Sequence, residues 1–314
     1  MPRVLLTHPV HEVGLSALTS AGLAITVSPS PDRETILSLL PKMDALMVRT
    51  AGVYDGELMD HGPNLKVIGR HGVGVDHIDI DAARERGITV VNAPEANSMA
   101  VAEYAAGLMV SLLRFLPEAD QAARAHEWTA RDRLIGTELF GRTVGIVGLG
   151  RVGSRIARIC RLGFQMRVIY YDIDRKYDIE DELGIEFVSF DEVISQADIL
   201  TLHTPLTPLT HSMMNEETLG RMKEGTWLLN TSRGRVVDLD ALVATLNRGH
   251  LAGAALDVFP EEPVPADHPI LTMSNVRLSP HMASRSAESM VRMSLVAEDI
   301  VRVLKGETPR FPVT

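Results

Sequence analysis

Apolar runs too short to be helices alternate along the chain with stretches whose apolar residues recur at helical spacing, and they do so in two series. In the first, residues 4–7, 45–48, 66–69 and 88–92 are expected strands, separated by helical stretches such as 79–86. From residue 143 the pattern restarts. "TVGIVG", "MRVIYYD", "DILTLH", "TWLLNTS" and "LAGAALDVF" are strand-like, with helices expected at 151–162 and 238–248. Strands that alternate with helices form parallel sheets with crossover connections, so two series predict two α/β domains. Between them, residues 97–116 read as a long apolar helix opened by an Asn/Ser cap and ended before Pro117. It is too short and too interrupted to be read as a membrane span, and a buried connecting helix fits it better. A last helix, about 284–305, returns the chain to the first domain. The expected domains are residues 1–98 with 285–314, and residues 99–284.

Composition narrows the class. The chain has 314 residues, 45% of them apolar, and a net charge of −10. That charge argues against nucleic acid as the main partner. No apolar run reaches the length of a span, the N-terminus does not read as a signal peptide, and the single cysteine, Cys160, excludes an internal disulfide framework. A soluble, cytoplasmic protein without membrane partner is expected, and no metal is implied.

The stretch "TVGIVGLGRVGSRIARICRLG" is a strand, then Gly148-x-Gly150-x-x-Gly153, then a helix. A bare GxGxxG is weak evidence, but strand, spacing and helix agree here. Gly148 allows the tight turn, Gly150 lets backbone approach a pyrophosphate, and Gly153 lets helix pack on strand. The helix N-terminus then offers its amides and dipole to the phosphates. The following strand ends at Asp172, whose carboxylate can accept from both ribose hydroxyls of an adenosine and repels a 2′-phosphate. That favours NAD over NADP, although Arg175 and Lys176 stand close by.

Three further segments follow successive expected strands. "LLNTSRGRVVD" carries Arg233, "LDVFPEEPVP" carries Glu262, and "VRLSPHMAS" carries His281. Ligands bind outside the carboxyl ends of parallel strands, so an arginine, a carboxylate and a histidine could meet there. Arg233 can hold a carboxylate and polarise a carbonyl oxygen. His281 can exchange the proton, and Glu262 can accept from the other ring nitrogen. The prolines around Glu262 suggest a carboxylate held still and buried against His281, with Glu261 its solvated neighbour.

On "GLGRVG", "NTSRGRVVD", "ALDVFPEEP" and "SPHMAS", with "GRHGVGVDHID" and "NAPEANSMAVAE" earlier, the chain resembles the D-isomer-specific 2-hydroxyacid dehydrogenases over essentially its whole length. The resemblance implies two Rossmann-like, doubly wound parallel-sheet domains, one flavodoxin-like for substrate and one for NAD, with the active site in a cleft. It implies that Arg151 and Val152 lie over the pyrophosphate. Thr204 and Pro205 would lie by the adenosine-side ribose and pyrophosphate, and Thr231 and Asp257 near the nicotinamide, with Asp257 facing its carboxamide; Ser232 would be a further cofactor contact, and Ser284, also a cofactor contact, closes the turn of "HMAS". In the family the amides corresponding to Val73 and Gly74 cradle the substrate carboxylate, and Asn97 faces the same cleft.

The substrate is narrowed by Arg49 and Arg70, which both end expected strands. The chain resembles phosphoglycerate dehydrogenases at these positions, where such arginines contact the phosphate end. Two extra cations suit a second anionic group better than a small neutral substrate. The resemblance also implies a homodimer, possibly a tetramer, in which Arg131 or Arg133 of "HEWTARDRLIGTEL" reaches the partner's site. The sequence ends at Thr314, without room for the C-terminal serine-sensing domain of longer phosphoglycerate dehydrogenases. Alternatives are a glyoxylate/hydroxypyruvate reductase and, of another class, an NAD(H)-sensing corepressor-like binding protein. Formate and phosphonate dehydrogenases share the fold.

Overall fold

In the computed structural model, residues 1–49 and 52–314 are described. The chain divides into two compact units, Met1–Asn97 with Arg285–Thr314, and Ser98–Ser284.

The first unit is built on five strands, β1 (Arg3–Leu6), β2 (Ala24–Val27), β3 (Ala45–Val48), β4 (Val67–Arg70) and β5 (Thr89–Val91), in the order β2-β1-β3-β4-β5. Every pairing is parallel. Successive side chains of a strand point to opposite faces, and both faces are covered. Leu5, Leu46, Val48 and Ile68 enter one apolar cluster, and Val4, Leu6, Ala45, Met47 and Val67 enter another. This explains why the strands read as continuous apolar runs rather than alternating ones. The chain direction reverses across the sheet between β1 and β3, the switch point at which open α/β sheets leave a crevice outside the strand ends.

The second unit carries β6 (Thr143–Val147), β7 (Arg167–Tyr171), β8 (Glu186–Phe187), β9 (Ile199–Leu202), β10 (Thr226–Asn230), β11 (Leu251–Leu256) and β12 (Val276–Leu278). Their order is β12-β11-β10-β9-β6-β7-β8, all parallel. Here too Val144, Ile146, Ile199 and Leu229 face one cluster and Val147, Leu200, Leu202 and Leu228 the other. Its switch point lies between β6 and β9, beside the glycine-rich turn.

The expected strands all occur, with ends shifted by up to three residues. Two short strands went unforeseen, β2 and the two-residue β8, both at sheet edges and part-exposed, where the apolar signal is weakest. The long connecting helix is two helices, Ser98–Leu113 and Leu116–Arg124, bent by 62°. Phe115 between them has a left-handed backbone (φ 54°). Pro117 therefore does not end a helix but stands in the first turn of the second, where no N–H is required. Among the described residues no single helix is long and apolar enough to cross a membrane. The returning segment is likewise two helices, Ala287–Ser294 and Val296–Leu304, meeting at Leu295. The helix expected at 151–162 ends at Arg158 and continues as a π-turn, Ile159–Gly163.

Candidate active site and dinucleotide site

In the second unit the glycine-rich turn joins β6 to the helix Arg151–Arg158. Gly148 has φ 93°, and a Cβ there would meet the His203 carbonyl oxygen at 2.8 Å, so both conformation and space demand glycine. Gly150 caps the helix, and the space beside it is open, with nothing within 4 Å of a Cβ. Gly153 packs against the Gly148 carbonyl. Arg151 is exposed at the first helical position, and Val152 packs on the apolar cluster behind.

Asp172 follows β7. Its Oδ2 accepts from Leu149 N at 2.7 Å and its Oδ1 from Asp174 N at 3.1 Å, so the carboxyl is pinned beside the turn. Arg175 forks onto Glu180 at 2.8–3.2 Å and lies over Tyr177. Its guanidinium is thus committed within its own segment. Thr204 and Pro205 begin the loop after β9, where Thr210 Oγ1 donates to the Pro205 carbonyl at 2.6 Å.

These residues fit a dinucleotide. The open side of Gly150 and the pinned Asp172 match a pyrophosphate and a ribose. The hydroxyls of Thr204 and Thr231 are buried and have no hydrogen-bond partner among the described residues, a state that a polar ligand relieves.

The three catalytic candidates are all carried by loops of this unit. After β10, Asn230 ties the turn: its Oδ1 accepts from Ser232 N and Oγ (3.0 and 2.8 Å), and its Nδ2 donates to the Arg233 carbonyl at 2.9 Å. Thr231 and Ser232 are buried, and Arg233 is half-buried with Nη1 on the Ser232 carbonyl at 2.7 Å. A Cβ at Gly234 would overlap the Phe259–Pro260 backbone, so the loops after β10 and β11 are in direct contact.

His281 Nδ1 and Glu262 Oε2 are 2.7 Å apart. Glu262 Oε1 also accepts from Phe259 N at 3.0 Å. Partial burial pushes the Glu262 carboxyl up. The hydrogen bonds from His281 and Phe259, with the charges of His281 and Arg233, outweigh that and hold it below the usual carboxylate range. Glu262 is not buried, contrary to expectation. A third of its side chain is exposed, because the Pro260–Pro263 stretch lies on the surface. Glu261 is exposed and makes no such bond among the described residues.

Asp257, 1% exposed, is the hidden organiser of the histidine turn. Its Oδ1 accepts from Ser279 Oγ (2.6 Å) and Met282 N (2.9 Å), and its Oδ2 from Ala283 N (2.9 Å). Its backbone carbonyl takes His281 N at 2.8 Å. These bonds hold His281 at φ 50°, a left-handed conformation uncommon outside glycine. Asp257 was expected beside the nicotinamide; its close engagement with the turn gave no sequence signal. Ser284 is the last residue of this unit.

In the first unit, Arg70 is buried and its guanidinium braces the turn that follows β4. Nε donates to the Gly74 carbonyl at 2.7 Å, and Nη1 to the His71 carbonyl. Asn92 Nδ2 holds the Val73 carbonyl at 2.8 Å. The Val73 and Gly74 amides have no acceptor among the described residues, as a carboxylate cradle requires. Arg49 has no carboxylate partner among the described residues; Asp55, a candidate, pairs with Arg33 at 2.8 Å. Asn97 ends the first stretch of this unit. His8, His71 and Arg285 also gather near Arg49. Of these, His8 and His71 follow expected strands, but a lone histidine there carries no sequence signal of a shared cluster.

Arg131 and Arg133 lie in and after the turn Trp128–Asp132, both largely exposed. Among the described residues no group of three His, Cys, Asp or Glu side chains could hold a metal.

Residues 106–283 match the family model described as "D-isomer specific 2-hydroxyacid dehydrogenase, NAD binding domain". A glyoxylate reductase of Thermofilum pendens is 43% identical over 98% of this chain and 93% of its own. A D-3-phosphoglycerate dehydrogenase of Archaeoglobus fulgidus is 38% identical over 97% of this chain, which spans only 58% of that protein. The solved NAD-dependent formate dehydrogenase of Staphylococcus aureus, in complex with NAD, superposes with a TM-score of 0.86 at 33% identity, covering 100% of this chain and 99% of that one.

Proposed function

We propose, for a chain that belongs to the D-isomer specific 2-hydroxyacid dehydrogenase family, that it interconverts a D-2-hydroxy acid bearing a second anionic group with the corresponding 2-keto acid. 3-Phosphoglycerate is the leading candidate. The observation that carries the reading is the 2.7 Å contact between His281 and Glu262, with the charge of Arg233 acting on the same carboxylate. NAD, when bound, supplies the hydride chemistry at C2; Gly148, Gly150, Gly153, Asp172, Thr204 and Thr231 are the residues that would hold it.

The chain's own part is to bind, aim and exchange a proton. Arg233 holds the carboxylate and draws electron density toward the keto oxygen with a permanently charged fork. With Nδ1 on Glu262, His281 presents Nε2 to that oxygen, giving a proton in reduction and taking one in oxidation. Glu262 accepts at Nδ1 and fixes the ring's orientation. The Val73 and Gly74 amides take up the carboxylate, and Arg49 serves the second anion. On this reading residues 1–98 with 285–314 form the substrate domain and residues 99–284 the NAD domain.

We further propose a cytoplasmic homodimer. Trp128, Ile135, Phe140 and Leu162 are each at least 68% exposed, apolar side chains that a second copy would cover, and Arg131 or Arg133 on that arm would reach the partner's site.

A second reading, glyoxylate reductase, is favoured by the 43% identity to a relative of matching length. A panel of 2-keto acids, run with NADH and with NADPH on wild type and His281→Ala, tests both. Preference for anionic C3 substituents supports the first reading, and preference for glyoxylate the second. The variant should lose nearly all turnover while still binding NADH. Tight NADH binding without turnover of any keto acid would replace both readings with an NADH-sensing protein.

A further inference from the structure

The carboxyl ends of β1, β3 and β4 stand side by side at the switch point of the first unit's sheet. Leu6 pairs with Met47, and Val48 with Arg70. Thr7 N donates to the Met47 carbonyl at 3.0 Å and His71 N to the Val48 carbonyl at 2.9 Å. The next positions, His8, Arg49 and His71, therefore leave three neighbouring strands together, at the roughly 4.8 Å spacing of a sheet. Arg285, exposed in the segment that returns to this unit just before the helix Ala287–Ser294, acts by its charge on His8, Arg49 and His71. The same helix ends at Ser294, whose Oγ meets His71 Nε2 at 3.0 Å.

Among the described residues neither Arg49 nor Arg285 has a carboxylate partner, although acidic residues outnumber basic ones in the chain. Burial, then the charge of Arg285, lowers the Arg49 guanidinium. Burial, then Arg49 and Arg285, lowers His8. His71 is pushed down to about 3 by burial first and by Arg49, Arg70 and Arg285. With both imidazoles neutral at pH 7 and Arg70 engaged with the carbonyls of its turn, the charges of Arg49 and Arg285 remain for a ligand. Arg49 is half-buried and Arg285 exposed, so an anion entering from solvent at this switch point meets both charges. A phosphate monoester, carrying about −1.5 to −2 at pH 7, matches that charge; a sulfonate, at −1, matches half of it.

We propose that Arg285 is a specificity-determining residue that, together with Arg49 and His8, binds the second anionic group of the substrate and selects a phosphate monoester there. This rests on the second-anion reading above. Arg285 and Arg49 grip the phosphoryl oxygens, and His8 offers one neutral ring N–H. His71 is a positioning residue held by Ser294, and Arg70 stays with its turn.

The test compares wild type, Arg285→Gln and Arg285→Lys on three 2-keto acids that differ only at C3: 3-phosphohydroxypyruvate, 3-sulfopyruvate and hydroxypyruvate, each reduced with NADH. Wild type should prefer phosphate over sulfonate over hydroxyl. Arg285→Gln should raise KM for the phosphate substrate about ten- to a hundred-fold, the usual effect of one charge-assisted contact. It should change hydroxypyruvate kinetics less than about three-fold, and Arg285→Lys should fall between. If wild type prefers the phosphate and Arg285→Gln affects all three substrates equally or none, the role of Arg285 is overturned while the second-anion reading stands. If wild type shows no preference for either anionic substrate, that reading fails and the proposal with it. Should Arg285→Gln fail to fold on a thermal melt, Arg285→Lys alone decides: an unchanged KM for the phosphate substrate, relative to hydroxypyruvate, refutes the selective grip.

Discussion

Replacing Asp257 with Asn removes no atom of bulk and yet should damage both stability and turnover. The carboxyl takes three donors at two oxygens, Ser279 Oγ, Met282 N and Ala283 N, at 2.6–2.9 Å, in a site 1% exposed. An amide offers one oxygen and one NH₂. Whichever way it turns, the NH₂ faces a backbone N–H, of Ala283 or of Met282, and a donor loses its acceptor. A buried group so stranded costs about 1–3 kcal/mol, with the upper end appropriate at Ala283, which water does not reach. At about 2–4 °C per kcal/mol for a unit of this size, melting should fall by about 5–10 °C. These bonds also hold His281 at φ 50°, a conformation costing about 1–2 kcal/mol on its own. Relaxation of the turn should therefore lower kcat for keto-acid reduction by at least about ten-fold. Calorimetry of the cofactor-free protein and steady-state kinetics measure the two effects separately. An Asp257→Asn variant that melts within about 1 °C of wild type, while losing only NADH affinity, would refute the turn-holding role and leave a contact to the cofactor alone.

Glu262→Gln should lower turnover, because the His281 ring loses the carboxylate that aims it; Glu261→Gln should leave turnover in place, and equal effects of the two changes would remove the pairing from the mechanism. Because the Glu262 carboxyl titrates below its usual range, its share of stability is present above that range and lost only as pH falls through its lowered value. Asp172→Ala should raise KM for NAD far more than for NADP. Since Arg175 is committed to Glu180, a gain in absolute NADP efficiency should require releasing that arginine too, and an unchanged cofactor preference would mean that another group reads the ribose.

Features with local periodicity or local chemistry were legible in the chain. The strands of both sheets are buried on two faces and so appear as uninterrupted apolar runs. The turn at Gly148 is written in residues whose spacing follows from one strand–turn–helix unit. What escaped depends on residues far apart in sequence. Arg285 is separated from His8 by nearly the whole chain, and only the returning segment brings them into one unit. The break at Phe115 was hidden because Pro117 is the familiar helix breaker, whereas the chain bends two residues earlier through a left-handed phenylalanine. Arg70 was readable as a cation at a strand end but not as a brace, because the carbonyls it holds, of His71 and Gly74, carry no side-chain signal.

The acidic, proline-rich stretch after β11 shows why adjacent carboxylates in one loop do different work. A histidine that exchanges a proton with a substrate must be fixed twice, once in its backbone and once in its ring, since each leaves the other free to rotate. Asp257 fixes the first, from a buried position where three donors converge on it. Glu262 fixes the second, from a position a third exposed, where it is itself steadied by the Phe259 amide. The division follows from solvation. The backbone anchor lies in the dry interior, where a fully satisfied set of hydrogen bonds is rigid and loss of one is costly. The ring partner must stay near water and charge, because a deeply buried carboxylate would be pushed toward its neutral form and would no longer favour the imidazolium. Glu262 gains just enough desolvation to aim it and enough hydrogen bonding, with the charge of Arg233, to remain ionised. Burying it further would weaken the electrostatics on which the proton transfer depends, and exposing it further would let the ring swing.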